Sequence, residues 1–415
     1  MKRLTLLTIS AFFMFVFLGG LASAQPKNIK IGWIGPLSGP AAEPGISNKQ
    51  GTILAMEEVN AKGGVYVAEY KKKIPLEVLF EDSQSKPEIG VGVAEKLITR
   101  DKVHVLFGEA FHSSVSVAIM ELAPKYGIPI MSLQPISDVI SNKIAKDPAR
   151  YWSFWKMDVG SGAYARATLG TYQYLVDKKL FNPRNKTISF IVEDTDFGRT
   201  VAVRTKELFE GTGWKSVAME TVPLGHTDFY SQLTKLKSLD PDILLSLYTA
   251  LSSGVAMIKQ FHEVGAKPSH IAIYYPIRPE LIPQTGKASD YLLWNVAVLD
   301  AQKIPSQKEF VDKIQKKWKV PANLDMTYGY DGVMNSVDSI ERAGSLEPKK
   351  IVSALSKLNR KGILGRWVFE QSNHEIIDGP DYMPMPTQQT IAGKSEIIWP
   401  PAVATAKYVT PLWMK

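Results

Sequence analysis

The sequence contains no cysteine among its 415 residues. Disulfide bonds, thiolate metal ligands and a lipid-modified N-terminal cysteine are therefore excluded. Such a chain must be stabilised by its hydrophobic core, and a chain of this length can bury enough apolar surface for that. Hydrophobic residues make up 45 % and charged residues 22 %, the proportions of an ordinary globular protein. The length predicts two or three domains.

The motifs of several common catalytic and metal sites are also missing. The six histidines include no H-x-H or H-x-x-x-H pair, and the acidic stretches at 81–88 and 192–198 lack EF-hand spacing. The Gly/Pro loop at 35–45 has no G-x-G-x-x-G fingerprint, and Ser113 lacks the flanking glycines of a nucleophile elbow. We therefore predict that the protein holds no metal ion and no cofactor and is not an enzyme.

One long apolar run is present, at the N-terminus, where it follows two basic residues. It extends over residues 4–18 and is followed by the small-residue sequence "ASA" at 22–24. This pattern predicts a secretory signal peptide that is cleaved after Ala24. The alternative is an uncleaved anchor, but the run is shorter than the ~20 residues that a bilayer span needs. We therefore expect an exported protein that resides in the periplasm.

The formal net charge is +8, but the basic residues do not form a track. The runs at 71–73 and 315–317 are short and are typical of solvated helix or loop faces. We therefore predict no nucleic-acid partner.

From residue 28 onward, short apolar runs alternate with segments of helical periodicity. The first series ends near the predicted strand at 128–133, an irregular stretch rich in Ser, Asn, Pro and Asp follows at 134–157, and a second series covers 161–276. Strand–helix repeats of this kind form parallel sheets with helices on both faces. Ligands of such sheets bind at the carboxyl ends of the strands, so two series predict two lobes with a cleft between them.

Eight segments of the sequence are informative through their order and spacing. They are "IKIGWIGPLSGPAA", "AMEEVNAKGGV", "LEVLFEDSQSKPE", "AEKLITRDKVHVLFGEAFHSS", "YGIPIMS", "VEDTDFGR", "DFYSQLTKLKSLDPDILLSLY" and "YGYDGV". Together they resemble the leucine/isoleucine/valine-binding protein family, whose members are periplasmic solute-binding components of ABC importers. The resemblance covers residues 28–345 clearly and the C-terminal tail weakly.

The resemblance implies the type I periplasmic-binding-protein fold, an α/β architecture of two Rossmann-like lobes with parallel sheets joined by a hinge. We expect the chain to pass between the lobes more than once. The predicted divisions are the signal peptide 1–24, the first segment of the first lobe 25–154, the first segment of the second lobe 155–284, the second segment of the first lobe 285–362, and the completion of the second lobe with the C-terminal tail 363–415.

In this family the ligand is held mostly by the loops that follow the strands. By resemblance, Ser113 matches the serine of the family's G-x-x-x-S loop, and Gln134 and Ile136 occupy the contact positions of a run that is usually P-A-A-T or G-A-T. In the second lobe, Phe197 matches the aromatic residue of the D-x-Y-G turn, and Tyr248 matches the aromatic residue after the D-x-V-x strand.

This sequence departs from the family at the partner of an amino-acid ligand's ammonium group. Where the family's amino-acid binders place an acid, it has Ile277 or Arg278, and the threonine of the G-A-T run is missing. If Arg278 faces the cleft, it can hold a carboxylate with two hydrogen bonds; if it faces outward, it is one more surface residue. Glu109 and Asp138 are the remaining candidates for the ammonium partner.

The stretch "FGEAFHSSVS" supports binding rather than catalysis. Ser113 or Ser114 is predicted to cap the helix that follows, where free N–H groups attract an anion. A catalytic serine beside a histidine is the alternative, but residues adjacent in sequence seldom meet as base and nucleophile. Phe111 follows a predicted strand and is expected in the cleft, and Leu37 and Ser38 are expected at its rim.

We therefore expect a solute-binding component that binds a small amino acid or a related carboxylate in the cleft and delivers it, as a monomer, to an ABC permease in the inner membrane. Aromatic or aliphatic organic acids, amides and urea are the alternative ligands, because the family's acid and threonine are missing or displaced. A sensor that passes a signal to a histidine kinase or a chemoreceptor is the alternative function.

Overall fold

The structure is a computed structural model that describes residues 25–39 and 41–414. The predicted signal peptide, residues 1–24, lies outside the described residues. Within the described part of the chain, no helix is both long enough and apolar enough to cross a bilayer.

A five-stranded parallel sheet forms the first lobe, with the strand order β4-β1-β5-β6-β7, and a short β2–β3 hairpin lies beside it. All but one of its strands are almost entirely buried because helices cover both faces of the sheet. In chain order the strands are β1 Ile29–Gly35, β2 Val65–Val67, β3 Lys72–Ile74, β4 Leu76–Asp82, β5 Val105–Gly108, β6 Ile130–Ser132 and β7 Phe154–Lys156. The helices between them are α1 Ala42–Ala61, α2 Pro87–Thr99, α3 Ser113–Ile119, α4 Ala123–Tyr126 and α5 Asp138–Lys146.

The second lobe contains a seven-stranded sheet whose central strands are parallel. Its first five strands are β8 Thr187–Glu193, β9 Lys215–Val222, β10 Ile243–Tyr248, β11 Ser269–Tyr274 and β12 Leu293–Asn295. The helices of this segment are α6 Ser161–Asp177, α7 Asp196–Glu210, α8 Tyr230–Leu239, α9 Leu251–Glu263 and α10 Leu281–Thr285. Strand–helix alternation thus recurs in the second half of the chain, as the sequence predicts.

The last part of the chain is divided between the two lobes. It consists of α11 Lys308–Trp318, α12 Leu324–Ala343, α13 Pro348–Leu355, β13 Asn359–Lys361, β14 Arg366–Val368, β15 Thr387–Ile391 and β16 Lys394–Trp399. Helix α12 packs along α1 of the first lobe, and Gly51 makes this possible because a Cβ there would lie 1.8 Å from the Met326 carbonyl oxygen. Strands β15 and β16 complete the second sheet as antiparallel edge strands.

Two predicted division points differ from the structure. Strand β12 lies in the segment 285–362, which was assigned to the first lobe, yet it pairs with β11 in the second sheet. Residues 374–376 lie in the segment assigned to the second lobe, yet Lys156 N–H of β7 donates to the His374 carbonyl oxygen at 2.8 Å. Both segments are short, so their position depends on pairing with distant strands and not on a local sequence pattern.

The chain crosses between the lobes at residues 158–160, 296–307 and 384–386. The two sheets turn the carboxyl ends of their parallel strands towards the same cleft. This confirms the predicted class, an α/β fold of two lobes with parallel sheets, and it places the loops after the strands of both lobes opposite each other.

Candidate functional site

A cavity lies between the two lobes, and most of its lining residues follow directly after a strand. The cavity is narrow, with a volume of about 30 Å³. The lining residues are Phe111, His112, Ser113, Ser114, Gln134, Ile136, Asp158, Tyr164, Glu193, Thr195, Asp196, Phe197, Thr249, Tyr274, Leu324 and Tyr328.

The loop after β5 places serine and histidine side chains in the first-lobe wall. Helix α3 begins at Ser113 and is preceded by His112, whose side chain makes no capping hydrogen bond. The prediction that Ser113 or Ser114 caps this helix is therefore wrong. Ser113 Oγ instead accepts a hydrogen bond from Ser137 N–H at 3.2 Å, which joins the loops after β5 and β6.

His112 is neutral and has an unused ring nitrogen. Its Nε2 is buried without a hydrogen-bond partner among the described residues. Burial lowers the pKa of the ring to about 4. Because Nε2 makes no hydrogen bond to the Ser113 hydroxyl, these two residues do not form a nucleophile–base pair. The unused nitrogen is available to a polar group of a solute.

Gln134 and Ile136 belong to the loop after β6 and line the cavity. The Gln134 amide is already engaged at both ends, since its Oε1 accepts from Asn48 at 3.0 Å and its Nε2 donates to Asp325 at 2.8 Å. The Ile136 carbonyl accepts a 2.8 Å hydrogen bond from the Lys156 ammonium group. Both residues therefore shape the wall through contacts made behind it.

Glu193 is the last residue of β8 and the strongest electrostatic feature of the second-lobe wall. Its Oε2 accepts hydrogen bonds from Thr249 N–H at 2.7 Å and from the Thr249 hydroxyl at 2.8 Å, and Oε1 accepts from the Thr195 hydroxyl at 3.1 Å. Burial raises the pKa of this carboxyl to about 7, against the opposing effect of these hydrogen bonds. No cationic side chain among the described residues forms a salt bridge with Glu193.

Two further acids line the cavity. Asp158 follows β7 and accepts hydrogen bonds at Oδ1 from the Tyr328 hydroxyl and from Val159 N–H, both at 2.8 Å. Burial raises the pKa of Asp158 to about 7. Asp196 differs because the Arg199 guanidinium lies 3.0 Å from its carboxylate. The cavity therefore presents two acidic groups without a salt bridge and, among its lining residues, no lysine or arginine.

Aromatic rings form the apolar part of the cavity. Tyr274 lies between Phe111 of the first lobe, at 5.6 Å between ring centroids, and Phe197 of the second lobe, at 6.2 Å. Tyr164 of α6 meets Phe197 edge to face at 6.0 Å. Such tilted and edge-to-face contacts are the favourable geometries for aromatic pairs. An apolar side chain or ring of a solute would find a preformed apolar wall here.

Three of the predicted ligand-binding residues, in the loop after β1 and at the end of β10, lie outside this cavity. Leu37 N–H and the Ser38 hydroxyl both bind the Asp82 carboxylate, at 2.8 and 2.6 Å, in the loop after β1. Tyr248 belongs to the core of the second lobe, where its hydroxyl donates to the Ile191 carbonyl at 2.9 Å. The neighbouring residue, Thr249, faces the cavity in its place.

Arg278 faces neither the cavity nor the solvent. It is buried between the lobes, where it pairs with the Asp325 carboxylate and donates to the Tyr274 hydroxyl at 2.9 Å. The two orientations considered from the sequence, towards a bound carboxylate or out to solvent, are both wrong. The reason is a partner from α12 that is 47 positions distant in the chain.

The two acids considered as ammonium partners, Glu109 and Asp138, also lie outside the cavity lining. Glu109 accepts from the Ser83 hydroxyl at 2.9 Å, and Asp138 accepts from Ser161 N–H at 3.0 Å and from Arg204 at 3.2 Å. Glu193 was missed, although it ends a predicted strand and so satisfies the same rule that selected the aromatic residues. Applying that rule to acids as well would have found it.

The comparisons with known proteins identify a family. Residues 28–386 match the sequence model of a family described as periplasmic binding protein. The Leu/Ile/Val-binding protein homolog 7 of Brucella melitensis is 25 % identical over 429 residues, and the alignment covers 99 % of each chain.

Solved structures share the two-lobe fold. The branched-chain amino acid transporter substrate binding protein LivJ from Streptococcus pneumoniae, in complex with isoleucine, aligns with a TM-score of 0.74 at 20 % identity, covering 93 % of this chain and 100 % of that one. An ABC transporter solute binding protein from R. palustris, in complex with benzoate, aligns with a TM-score of 0.75 at 18 % identity, covering 93 % and 98 %.

Proposed function

Because this chain belongs to the periplasmic binding protein family, we propose that it is the solute-binding component of an ABC importer and that it binds a small amino acid with an apolar side chain. One observation carries the choice of ligand. Glu193 and Asp158 line the cavity without a salt bridge to any described residue. A buried carboxylate without a cation is unfavourable, and a ligand ammonium group supplies the missing charge.

The two ends of such a ligand match the two walls. Its ammonium group would bind Glu193, whose carboxylate is held in place by Thr249 and Thr195. Its carboxylate would lie against the loop after β5, where the Ser114 hydroxyl and the unused Nε2 of His112 can donate hydrogen bonds. The Glu193 carboxylate on one wall and the uncharged hydrogen-bond donors of the loop after β5 on the other would set the direction in which the ligand lies.

The apolar wall of the cavity determines which side chain of a ligand can fit. Phe111, Ile136, Phe197 and Leu324 leave little space, and that space is apolar. A branched aliphatic side chain fits such a wall because its burial is favourable by about 1.5–3 kcal/mol. The Brucella melitensis relative, at 25 % identity, is named a Leu/Ile/Val-binding protein homolog, which also favours a branched aliphatic side chain.

An aromatic carboxylic acid is the second candidate. The rings of Phe111, Tyr274 and Phe197 favour it, since a flat ring can pack among them. The benzoate complex of the structural neighbour from R. palustris also supports this candidate. An acid without an amine would, however, leave Glu193 ionised without a partner, so its binding should require that this carboxyl is protonated.

The mechanism is binding and release, with no chemical change to the solute. The solute would enter the open cleft, bind one lobe and be enclosed when the second lobe closes over it. Closure excludes water and strengthens each polar contact. The closed form would then dock on a permease of the inner membrane. We propose that the mature protein acts in the periplasm as a monomer.

A thermal-shift screen of residues 25–415 tests the ligand. The panel contains the proteinogenic amino acids, the matched amine-free acids of leucine and valine, benzoates, amides and urea. A ligand at 100 times its dissociation constant adds about 2.7 kcal/mol to stability. Stabilisation by leucine but not by its amine-free analogue supports the proposal. Stabilisation by benzoates alone would replace it with the second candidate, and no response to any compound would contradict both.

A further inference from the structure

Asp325 is a buried carboxylate that contacts two cavity-lining residues without lining the cavity itself. Its Oδ1 accepts a hydrogen bond from Gln134 Nε2 at 2.8 Å and another from the Tyr274 hydroxyl at 2.7 Å. Gln134 belongs to the first lobe and Tyr274 ends β11 of the second. One oxygen atom therefore joins the two walls of the cavity across the cleft.

The other oxygen of Asp325 completes an ion pair between the lobes. Its Oδ2 binds the guanidinium of Arg278, which follows β11, and both side chains are fully buried. Arg278 also donates to the Tyr274 hydroxyl at 2.9 Å and lies 3.4 Å from the carboxylate of Glu43 in α1. Buried ions require opposite charges close by, and Arg278 obtains them from the first-lobe acids Asp325 and Glu43 only when the lobes are together.

Tyr274 has an unusual backbone that these contacts hold in place. Its φ is 76° and its ψ is −62°, a strained γ-turn conformation that is rare for a residue with a side chain. The turn ends β11 and directs the ring to Phe111 and Phe197 in the cavity. A strained conformation persists only where the surroundings determine it, and here two hydrogen bonds to the hydroxyl do so.

We infer that Asp325 and Arg278 form an inter-lobe latch that positions Gln134 and Tyr274 and couples occupancy of the cavity to lobe closure. Both are positioning residues, since neither touches the cavity. The inference rests on the proposed function, because the latch sets the affinity for the solute that this function assigns to the cavity. When the lobes separate, both charges return to water, so the latch stabilises the closed form alone.

The substitutions Asp325→Asn and Arg278→Met, and their combination, test the latch with L-leucine as the probe. Each single variant should bind about 10- to 100-fold more weakly, the range for a hydrogen bond to a charged group. The loss should appear in the dissociation rate, because the open form that captures the solute is unchanged. The combined variant should bind no more weakly than either single variant, since both remove the same interaction.

A structural role alone would give a different result. If the latch acts on the closed form, the thermal midpoint of the variants should fall more with solute than without it, because the solute makes the closed form predominate. The inference would be overturned if the thermal midpoint fell equally with and without solute, or if the affinity for L-leucine were unchanged. Arg204→Gln is the matched control, because Arg204 also pairs across the cleft with Asp138 but is partly exposed, and such pairs contribute little.

Measured distances between the lobes can show whether the latch hypothesis is wrong or whether only the proposed ligand is wrong. The chain has no cysteine, so spin labels can be attached through Lys62→Cys in the first lobe and Lys259→Cys in the second. If L-leucine binds, an open fraction that persists in Asp325→Asn at saturation supports the latch. If L-leucine does not bind, a closed fraction in the solute-free wild type that Asp325→Asn abolishes still supports it. The latch hypothesis would be overturned by identical inter-lobe distance distributions in the wild type and the variant, or by the absence of a closed fraction in the wild type.

Discussion

The ammonium nitrogen of Lys156 lies 2.8 Å from the carbonyl oxygen of Ile136, and this contact holds one wall of the cavity from behind. Lys156 is fully buried at the end of β7. Its charge is balanced by Glu375 at 3.1 Å, and Ser141 accepts a third hydrogen bond at 3.2 Å. A residue from the last tenth of the chain thereby neutralises the lysine that supports the loop after β6.

Lys156→Met should lower the free energy of unfolding by about 1.5–3 kcal/mol, since it removes charged hydrogen bonds and leaves Glu375 without its cation. Affinity for the solute should fall as well, because the Ile136 carbonyl loses its donor. Denaturant titration and calorimetric binding measure the two effects. Lys178→Met, at an exposed position, is the control and should change stability by less than about 0.5 kcal/mol. A variant as stable as the control would contradict the structural role of Lys156.

Glu193→Gln should weaken binding of an amino acid about 10- to 100-fold, because the amide keeps the shape and loses the charge that the ammonium group requires. Binding of an amine-free acid should not weaken. Asp194→Asn is the matched control: the neighbouring carboxylate is exposed and pairs with Arg199, so its loss should leave affinity unchanged. Equal effects of the two substitutions would argue against an ammonium site at Glu193.

The free energy of unfolding should fall as the pH rises, whereas the affinity for an amino acid should increase. Burial raises the pKa of Glu109 to about 8 and the pKa values of Asp158 and Glu193 to about 7. In the unfolded chain these groups titrate near pH 4, at about their ordinary values. Between these values the folded protein retains protons that the unfolded chain has released, so these three groups make stability fall as the pH rises from about 4 to about 8.

Amino-acid affinity should instead rise between pH 6 and 8, because Glu193 and Asp158 must be ionised to bind an ammonium group. The affinity of an amine-free acid should fall over the same interval. Thermal melts without solute and titration calorimetry at several pH values check both slopes. An amino-acid affinity that falls towards pH 8 would contradict the assigned charge of the site.

Gly198→Ala should destabilise the protein by about 1–3 kcal/mol, the usual cost of overpacking. Gly198 lies in the first turn of α7, where a Cβ would be 2.1 Å from the Glu193 carbonyl oxygen, so the backbone of the site must shift. The matched control is Gly92→Ala in α2, where a Cβ would meet no atom within 4 Å. That variant should be more stable by about 0.5–1 kcal/mol, since alanine favours a helix. Denaturant titration of both variants measures the two changes in the free energy of unfolding.

The general location of the site could be inferred from the sequence because it follows from local pattern. Apolar runs that alternate with helical periods specify two parallel sheets, and parallel sheets bind ligands beyond their carboxyl ends. That rule selected Phe111, and the resemblance to the family selected Ser113, Gln134, Ile136 and Phe197; all five line the cavity. Glu193 went unnoticed because the acids considered as ammonium partners were Glu109 and Asp138, and the rule was not applied to the acid at the end of β8.

An error of one residue arose where the backbone leaves β10: Tyr248 was predicted in the cleft, but it lies in the core of the second lobe and Thr249 lines the cavity. At the end of β11, Tyr274 lines the cavity and its neighbour Tyr275 lies in the core. The strained turn at Tyr274 decides which of two adjacent tyrosines faces the cleft. No sequence pattern indicates such a turn, because the hydrogen bonds that hold it come from Asp325 and Arg278.

By itself, the sequence determined the class of fold, the two series of strands and helices and the loops that meet at the cleft, since each depends on residues that are near one another in the chain. Only the tertiary structure decided the partners of the buried charges. Arg278 meets Asp325, and Lys156 meets Glu375, across 47 and 219 positions of sequence. A buried charge requires an opposite charge close by. The folding of the first lobe brings Lys156 and Glu375 together, and the contact between the lobes brings Arg278 and Asp325 together.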